Sequence, residues 1–91
     1  MAAASVSASS RPAPDRVVDT SGLVCPLPII KASEAMAQVA PGGVLHVIAT
    51  DFGILDDLPA WCTSMRYELL ALDTVEDGGA AVYHGFVRRG R

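Results

Sequence analysis

Two stretches with the repeat of an amphipathic helix alternate with apolar runs typical of β-strands, and this alternation most limits the folds available to the chain. Residues 26–40 place apolar side chains along one face of a helix, and residues 55–65 repeat that pattern. Between them, residues 44–50 are almost entirely apolar, as in a strand covered on at least one face. The sequence therefore predicts helices and strands that share one core.

Three further β-prone runs complete the pattern. Residues 16–19 precede the first helix, and residues 68–75 and 81–88 follow the second. The acidic and glycine-rich segment 76–79 separates the last two runs as the turn of a hairpin does. The predicted order is β-α-β-α-β-β, which indicates an α+β fold: a two-layer sandwich with both helices on one face of a four-stranded mixed sheet.

The second predicted helix contains a proline and two adjacent acidic residues. Because proline is tolerated only near a helix start, Pro59 predicts that this helix begins near Asp56. Asp56 and Asp57 do not share a helix face, so we expect them to stabilise the helix N-terminus rather than act as a catalytic pair. Cys62 lies on the apolar stripe, and we expect it to be buried and unreactive.

The first 15 residues differ from the rest of the chain. They are nearly all alanine, serine, proline and valine, without a helical or strand repeat, and predict a disordered leader. Serines interrupt the run and its first basic residue is Arg11, which disfavours a secretory signal. Residues 16–91 are expected to form the single folded domain.

Charge and composition exclude several classes of protein. Seven basic and ten acidic residues in a chain of 91 give a formal net charge of −3, which disfavours direct binding to nucleic acid or anionic lipid. Polar residues and prolines interrupt every apolar run well short of the ~20 residues of a membrane span. Two cysteines are too few for a disulfide framework, so we expect a reducing, cytoplasmic location.

The segment GLVCPLP, residues 22–28, breaks the usual rule for a helix start. Cys25 is expected at the N-cap, where serine, threonine, aspartate or asparagine normally accepts a hydrogen bond from a free amide. A thiolate would suit that position, because the first-turn amides and the helix dipole would lower its pKa. The pattern favours a functional cysteine; the alternative is a small buried hydrophobic side chain.

The residues next to Cys25 are of types that would hold its sulfur exposed at the protein surface. Pro26 and Pro28 are expected in the first turn, where their missing amides cost no hydrogen bond, and they would stiffen the helix entrance. Leu23, Val24 and Leu27 are expected to form an apolar docking rim around the sulfur.

No metal site or cofactor is predicted. His46 and His84, together with the two cysteines, lack the close spacing of zinc motifs. Both histidines are expected on strands, and a general-base role for one of them near Cys25 stays open.

Residues 16–89 resemble the TusA/SirA-like sulfur carrier family, whose hallmark is a Cys-Pro-x-Pro motif opening the first helix. Beyond Cys25, Pro26 and Pro28, the resemblance rests on Asp19, Gly22, residues 41–43, Thr50, Asp51, residues 57–63 and residues 68–70. It implies the same β-α-β-α-β-β fold and a carrier rather than an enzyme. Sulfane sulfur would be held as a persulfide on Cys25, with Gly22 and the two prolines as motif and positioning residues.

The resemblance also implies partners. The donor would be a cysteine desulfurase or a rhodanese-like protein, and the acceptor a downstream protein in tRNA thiolation, cofactor synthesis or sulfur oxidation. Better-known carriers often have a basic residue at Val24 and an acidic one at Leu27, and many members have proline at Phe52. These departures bear on partner choice rather than on persulfide chemistry.

Two other functions stay open at this point. A regulatory or scaffold domain could use the same surface for docking without sulfur transfer. The second alternative is a thiol-dependent reductase or a selenium-handling protein. The lack of a resolving cysteine beside Cys25 argues against this alternative.

Overall fold

The structure, a computed structural model, describes residues 13–90. Most of the predicted leader therefore lies outside the described residues. Asp15, its last residue, is joined to the sheet: its amide donates a hydrogen bond to the Val44 carbonyl at 2.8 Å. Its carboxylate accepts one from the Val44 amide, also at 2.8 Å.

The element order is the predicted β-α-β-α-β-β. The elements are β1 (Arg16–Asp19), α1 (Leu27–Met36), β2 (Val44–Ala49), α2 (Ile54–Met65), β3 (Glu68–Asp77) and β4 (Ala80–Arg88). The strands form one sheet in the order β1-β2-β4-β3, with β1 parallel to β2 and the other two pairings antiparallel. The predicted four-stranded mixed sheet is confirmed. Within residues 13–90, neither helix has the length and apolar character needed to cross a bilayer.

The core lies between the two helices and one face of the sheet. Alternate residues of β2 point to opposite faces, so Leu45 and Val47 are buried while His46 is half-buried on the other face. Met36 from α1 and Leu58 from α2 are fully buried against the same cluster. Both helices therefore cover one face, as predicted.

The prediction that α1 extends to residue 40 is wrong, because the helix ends at Met36. The Val39 amide bonds to the carbonyl of Met36, three residues back, which is a tighter turn than an α-helical one. The guanidinium of Arg89 donates to the carbonyls of both residues. This arginine therefore adds hydrogen bonds to the carbonyls that follow the end of the helix.

The predicted start of α2 near Asp56 is also wrong. The Gly53 carbonyl accepts a hydrogen bond from the Asp57 amide at 2.9 Å, so the helix begins at Ile54. Pro59 consequently lies inside α2, which tolerates the loss of one backbone hydrogen bond there.

Candidate functional site at the entrance of α1

The loop between β1 and α1 is fixed to the carboxyl end of β2. The amide and the hydroxyl of Thr20 both donate to the Ile48 carbonyl, at 2.7 and 2.6 Å. The Gly22 amide donates to Thr50 Oγ1 at 2.8 Å. Gly22 has a φ of +84°, a left-handed conformation that favours glycine. The end of β2 therefore sets the path of the chain towards the helix.

Cys25 is exposed, as the predicted role requires, but it lies one residue before the N-cap of α1. The N-cap is Pro26, whose carbonyl accepts the Ile30 amide at 3.2 Å. Leu27 is the first helical residue and Pro28 the second, and the Cys25–Pro26 peptide bond is cis. The placement of Cys25 at the N-cap, and of Pro26 at the first helical position, was wrong by one residue.

The amides at the start of α1 are already used by the backbone. Leu27 donates its amide hydrogen to the Val24 carbonyl at 2.9 Å. Ile29 donates its own to the Pro26 carbonyl at 3.1 Å, and the residue between them is a proline without an amide hydrogen. The expected stabilisation of a Cys25 thiolate by these amides therefore has no donors to provide it.

Two carboxylates converge on Cys25 from the other side. Asp51 Oδ2 accepts a hydrogen bond from the Cys25 amide at 3.2 Å. Gly53 lies between the groups: a Cβ there would be 2.9 Å from Asp51 Oδ2, 3.5 Å from Cys25 Cβ and 3.7 Å from Asp57 Oδ2. The absence of a side chain at Gly53 leaves room for the cysteine and both carboxylates around one point.

These carboxylates set the acidity of the sulfur. Hydrogen bonding to the Asp57 carboxylate, followed by desolvation and by the negative charges of Asp57 and Asp51, raises the pKa of the Cys25 thiol. The prediction of a lowered pKa is therefore wrong. In the free protein the neutral thiol is favoured.

A groove of about 360 Å³ opens beside Cys25. Its walls are formed by Cys25, Pro26, Ile29, Asp57, Ala60, Trp61 and Ser64. The contribution of α2 to this groove was not predicted, because Asp57 was assigned only to the helix N-terminus. The spacing of Asp57, Ala60 and Ser64 was an available signal, since residues three, four and seven apart share one helix face.

The predicted docking rim is exposed in part. Val24 is 61% and Leu27 42% exposed, whereas Leu23 is half-buried. Phe52, adjacent to Gly53, is 72% exposed and was not included in the prediction. We call Val24, Leu27 and Phe52 the apolar rim.

The other candidate residues lie away from the groove. Cys62 is buried in the core, as predicted, and burial raises the pKa of its thiol to about 11. His46 Nε2 and His84 Nδ1 are 3.0 Å apart on the sheet face opposite the helices, and neither lines the groove. Among residues 13–90, no three histidine, cysteine, aspartate or glutamate side chains are placed to hold a metal ion.

Comparison with solved structures supports the fold. A crystal structure of the SirA-like protein from Desulfitobacterium hafniense superimposes with a TM-score of 0.63 at 23% sequence identity. The similarity covers 84% of this chain and 99% of that one. The SirA-like protein and this chain therefore have the same fold.

Comparison with curated sequences identifies the family. The sulfur carrier protein TusA of Allochromatium vinosum is 39% identical over 75 residues, 82% of this chain and 93% of its own length. The putative sulfur carrier protein YrkI of Bacillus subtilis is 45% identical over 56 residues, 62% of this chain and 75% of its own. The family model described as "Sulfurtransferase TusA" matches residues 16–85. The chain belongs to the TusA family.

Proposed function

We propose that this chain is a sulfur carrier that accepts sulfane sulfur as a persulfide on Cys25 and passes it to a downstream protein. The observation that carries the proposal is the exposed thiol of Cys25 beside an open groove, in a member of the TusA family. The names of its relatives, which describe sulfur carriers, support the same role. A carrier of this kind needs an accessible sulfur rather than a complete catalytic site.

The proposed loading step is an exchange between two sulfur atoms. The Cys25 thiolate attacks the outer sulfur of a donor persulfide, R–S–SH, forming a new S–S bond as the donor's own S–S bond breaks. The donor leaves as a thiolate and takes up the proton that Cys25 released. Overall, Cys25–SH and R–S–SH give Cys25–S–SH and R–SH, without an external oxidant or reductant.

Delivery reverses the roles of the two proteins. An acceptor thiolate attacks the outer sulfur of the Cys25 persulfide and regenerates the Cys25 thiol. Attack on the inner sulfur would instead leave a mixed disulfide. Pro26 is bonded directly to Cys25 and lines the same groove. In this proposal it would crowd the inner sulfur.

The proposed partners are a sulfur donor and a sulfur acceptor. A cysteine desulfurase or a rhodanese-like protein would load Cys25. The acceptor would belong to tRNA thiolation, cofactor synthesis or sulfur oxidation, and the chemistry at Cys25 is the same for all three.

The experiment is a loading assay with two matched variants. The protein is incubated with a cysteine desulfurase and L-cysteine, and its intact mass is recorded. We expect a gain of one sulfur atom that dithiothreitol removes, absent in Cys25→Ser and retained in Cys62→Ser. A wild-type protein whose Cys25 alkylates but never gains sulfur would contradict the proposal.

A docking domain that transfers no sulfur is the second candidate, and the exposure of the apolar rim favours it. Such a domain would bind its partner equally well after Cys25→Ser and would support the partner's activity in that form. A sulfur carrier with the same substitution would bind but not support it.

A further inference from the structure

Among the described residues, no lysine or arginine forms an ion pair with the two carboxylates that converge on Cys25. Within residues 13–90, the ion pairs lie on α1 and between β3 and β4, and neither involves Asp51 or Asp57. Both aspartates are half-buried. Asp51 Oδ2 accepts a hydrogen bond from the Cys25 amide, and Asp57 Oδ2 lies near the same point of the loop, 3.7 Å from where a Cβ of Gly53 would be. The site therefore carries negative charge directly beside the sulfur that must react.

Docking of a partner at this site would remove water from both carboxylates. The apolar rim (Val24, Leu27 and Phe52) is exposed and adjoins the site along the chain: Val24 and Leu27 flank the Cys25–Pro26 pair, and Phe52 lies between Asp51 and Gly53. A partner that covers the rim and reaches Cys25 would therefore also cover Asp51 and Asp57. Burying an ionised carboxylate costs several kcal/mol unless an opposite charge or hydrogen-bond donors replace the water. A purely apolar partner surface would therefore bind poorly.

We propose, on the basis of the sulfur carrier function, that Asp51, Asp57 and the apolar rim form a docking surface for a donor or acceptor protein that presents a lysine or arginine beside its own sulfur-bearing cysteine. The cation would pair with the two carboxylates, while the partner's apolar side chains would cover the rim. This charge pattern selects partners as well as binding them, since an acidic surface at this position would meet two like charges.

The same contact would activate the sulfur. In the free protein the carboxylates favour the neutral thiol, which protects Cys25 from stray reactions. A cation placed beside Asp51 and Asp57 would offset their charge and favour the Cys25 thiolate within the complex. Small anionic sulfur compounds bring no cation and are repelled, so the carrier would react preferentially with its protein partners.

The test uses two small reagents that share one reactive sulfur and differ in charge. A methanethiosulfonate with a trimethylammonium group represents a partner sulfur beside a cation, and one with a sulfonate represents a partner sulfur beside an anion. Each transfers its thioalkyl group to Cys25 and releases methanesulfinate, so the rates are followed by intact mass. The rate for the trimethylammonium reagent is divided by the rate for the sulfonate reagent. Dividing this ratio by the same ratio measured with 2-mercaptoethanol removes the intrinsic difference in reactivity between the two reagents.

We expect the normalised cation-to-anion ratio to be about tenfold for the protein. Asp51→Asn and Asp57→Asn should each lower it to about threefold, and the double variant should bring it near unity. A shift of the thiol pKa changes both rates equally and cancels in the ratio. The matched control is Asp56→Asn, which removes the same charge from an exposed neighbour that is not among the groups shifting Cys25, and should change the ratio less than twofold.

Salt provides a readout that needs no variant. In the unmodified protein, about 1 M sodium chloride should reduce the ratio to near unity, because it screens charges beyond about 3 Å. A ratio near unity at low salt, or one that Asp51→Asn and Asp57→Asn leave unchanged, would overturn the proposal. Since the reagents need no sulfur relay, this outcome is independent of whether Cys25 loads with sulfur from a desulfurase.

Discussion

The two cysteines of the chain occupy contrasting regions, the exposed entrance of α1 and the core beneath α2. The pKa is raised in both, but for different reasons. Burial alone raises the pKa of Cys62, whereas at Cys25 the largest cause is the hydrogen bond to the Asp57 carboxylate. A buried sulfur cannot be activated without opening the core. A surface sulfur held by carboxylates can be activated by whatever neutralises them.

This contrast separates the core of the domain from the surface that we propose to carry sulfur. The core that includes Cys62 packs against one face of the sheet. Residues at the end of β2 hold the loop that contains Cys25 by hydrogen bonds. Cys25 is exposed and lies outside the core cluster. Substitution of Cys25 itself is therefore expected to leave the core intact.

The largest predicted difference is in alkylation. Iodoacetamide should modify Cys25 of the native protein at least about a hundredfold faster than Cys62, because Cys62 is inaccessible and its thiolate fraction falls tenfold for each unit of pKa. Peptide mapping after timed quenching measures both rates. Equal rates in the native state and after unfolding would show that the core does not protect Cys62.

The next effect is on stability. Cys62→Ser should lower the free energy of unfolding by about 2 kcal/mol, because it buries a hydroxyl among apolar side chains. Cys25→Ser, the matched change at an exposed position, should alter it by less than about 0.5 kcal/mol. Urea unfolding followed by circular dichroism measures both. A large loss from Cys25→Ser would mean that this sulfur is part of the core.

A smaller effect is expected where the two regions meet. Thr20→Val removes the hydroxyl that donates to the Ile48 carbonyl and keeps the backbone hydrogen bond to the same oxygen. Loss of one such hydrogen bond should cost about 1 kcal/mol in urea unfolding. No loss would indicate that the backbone bond alone holds the loop on β2.

The smallest effect concerns the acidity of Cys25. Removing the charge of Asp57 with Asp57→Asn should lower the pKa of the Cys25 thiol, so that more thiolate is present near neutral pH. The iodoacetamide rate near neutral pH should rise about threefold, less than the gain in thiolate, because nucleophilicity falls with pKa. The pH profile of the rate should shift to lower pH, and Asp56→Asn should leave it in place. An unshifted pH profile in Asp57→Asn would show that the Asp57 carboxylate does not raise the pKa of Cys25.

Much of the fold was predictable because its signals are local. The helical repeats, the apolar run of β2 and the glycine-rich turn before β4 gave the correct order of elements. The ends of the helices were less predictable. Arg89, far along the chain, donates hydrogen bonds to carbonyls at the end of α1, and the Gly53 carbonyl starts α2 before Asp56.

The site was predictable only for the residues next to each other in sequence. The segment containing Cys25 was found because it departs from the usual chemistry of a helix start. Its electrostatics depend on Asp51 and Asp57, which reach Cys25 only through the packing of α2 beside the loop. The direction of the Cys25 pKa shift was predicted wrongly, because the amides of Leu27 and Ile29 are used within the backbone.

Cys25, and not Cys62, is the residue that we propose to carry transferable sulfur. The most direct test is peptide-level mass spectrometry of native protein loaded by a cysteine desulfurase and trapped with iodoacetamide. We expect the additional sulfur on the peptide that contains Cys25 and none on the peptide that contains Cys62. Sulfur on the Cys62 peptide, or on neither peptide when the desulfurase is active, would contradict it.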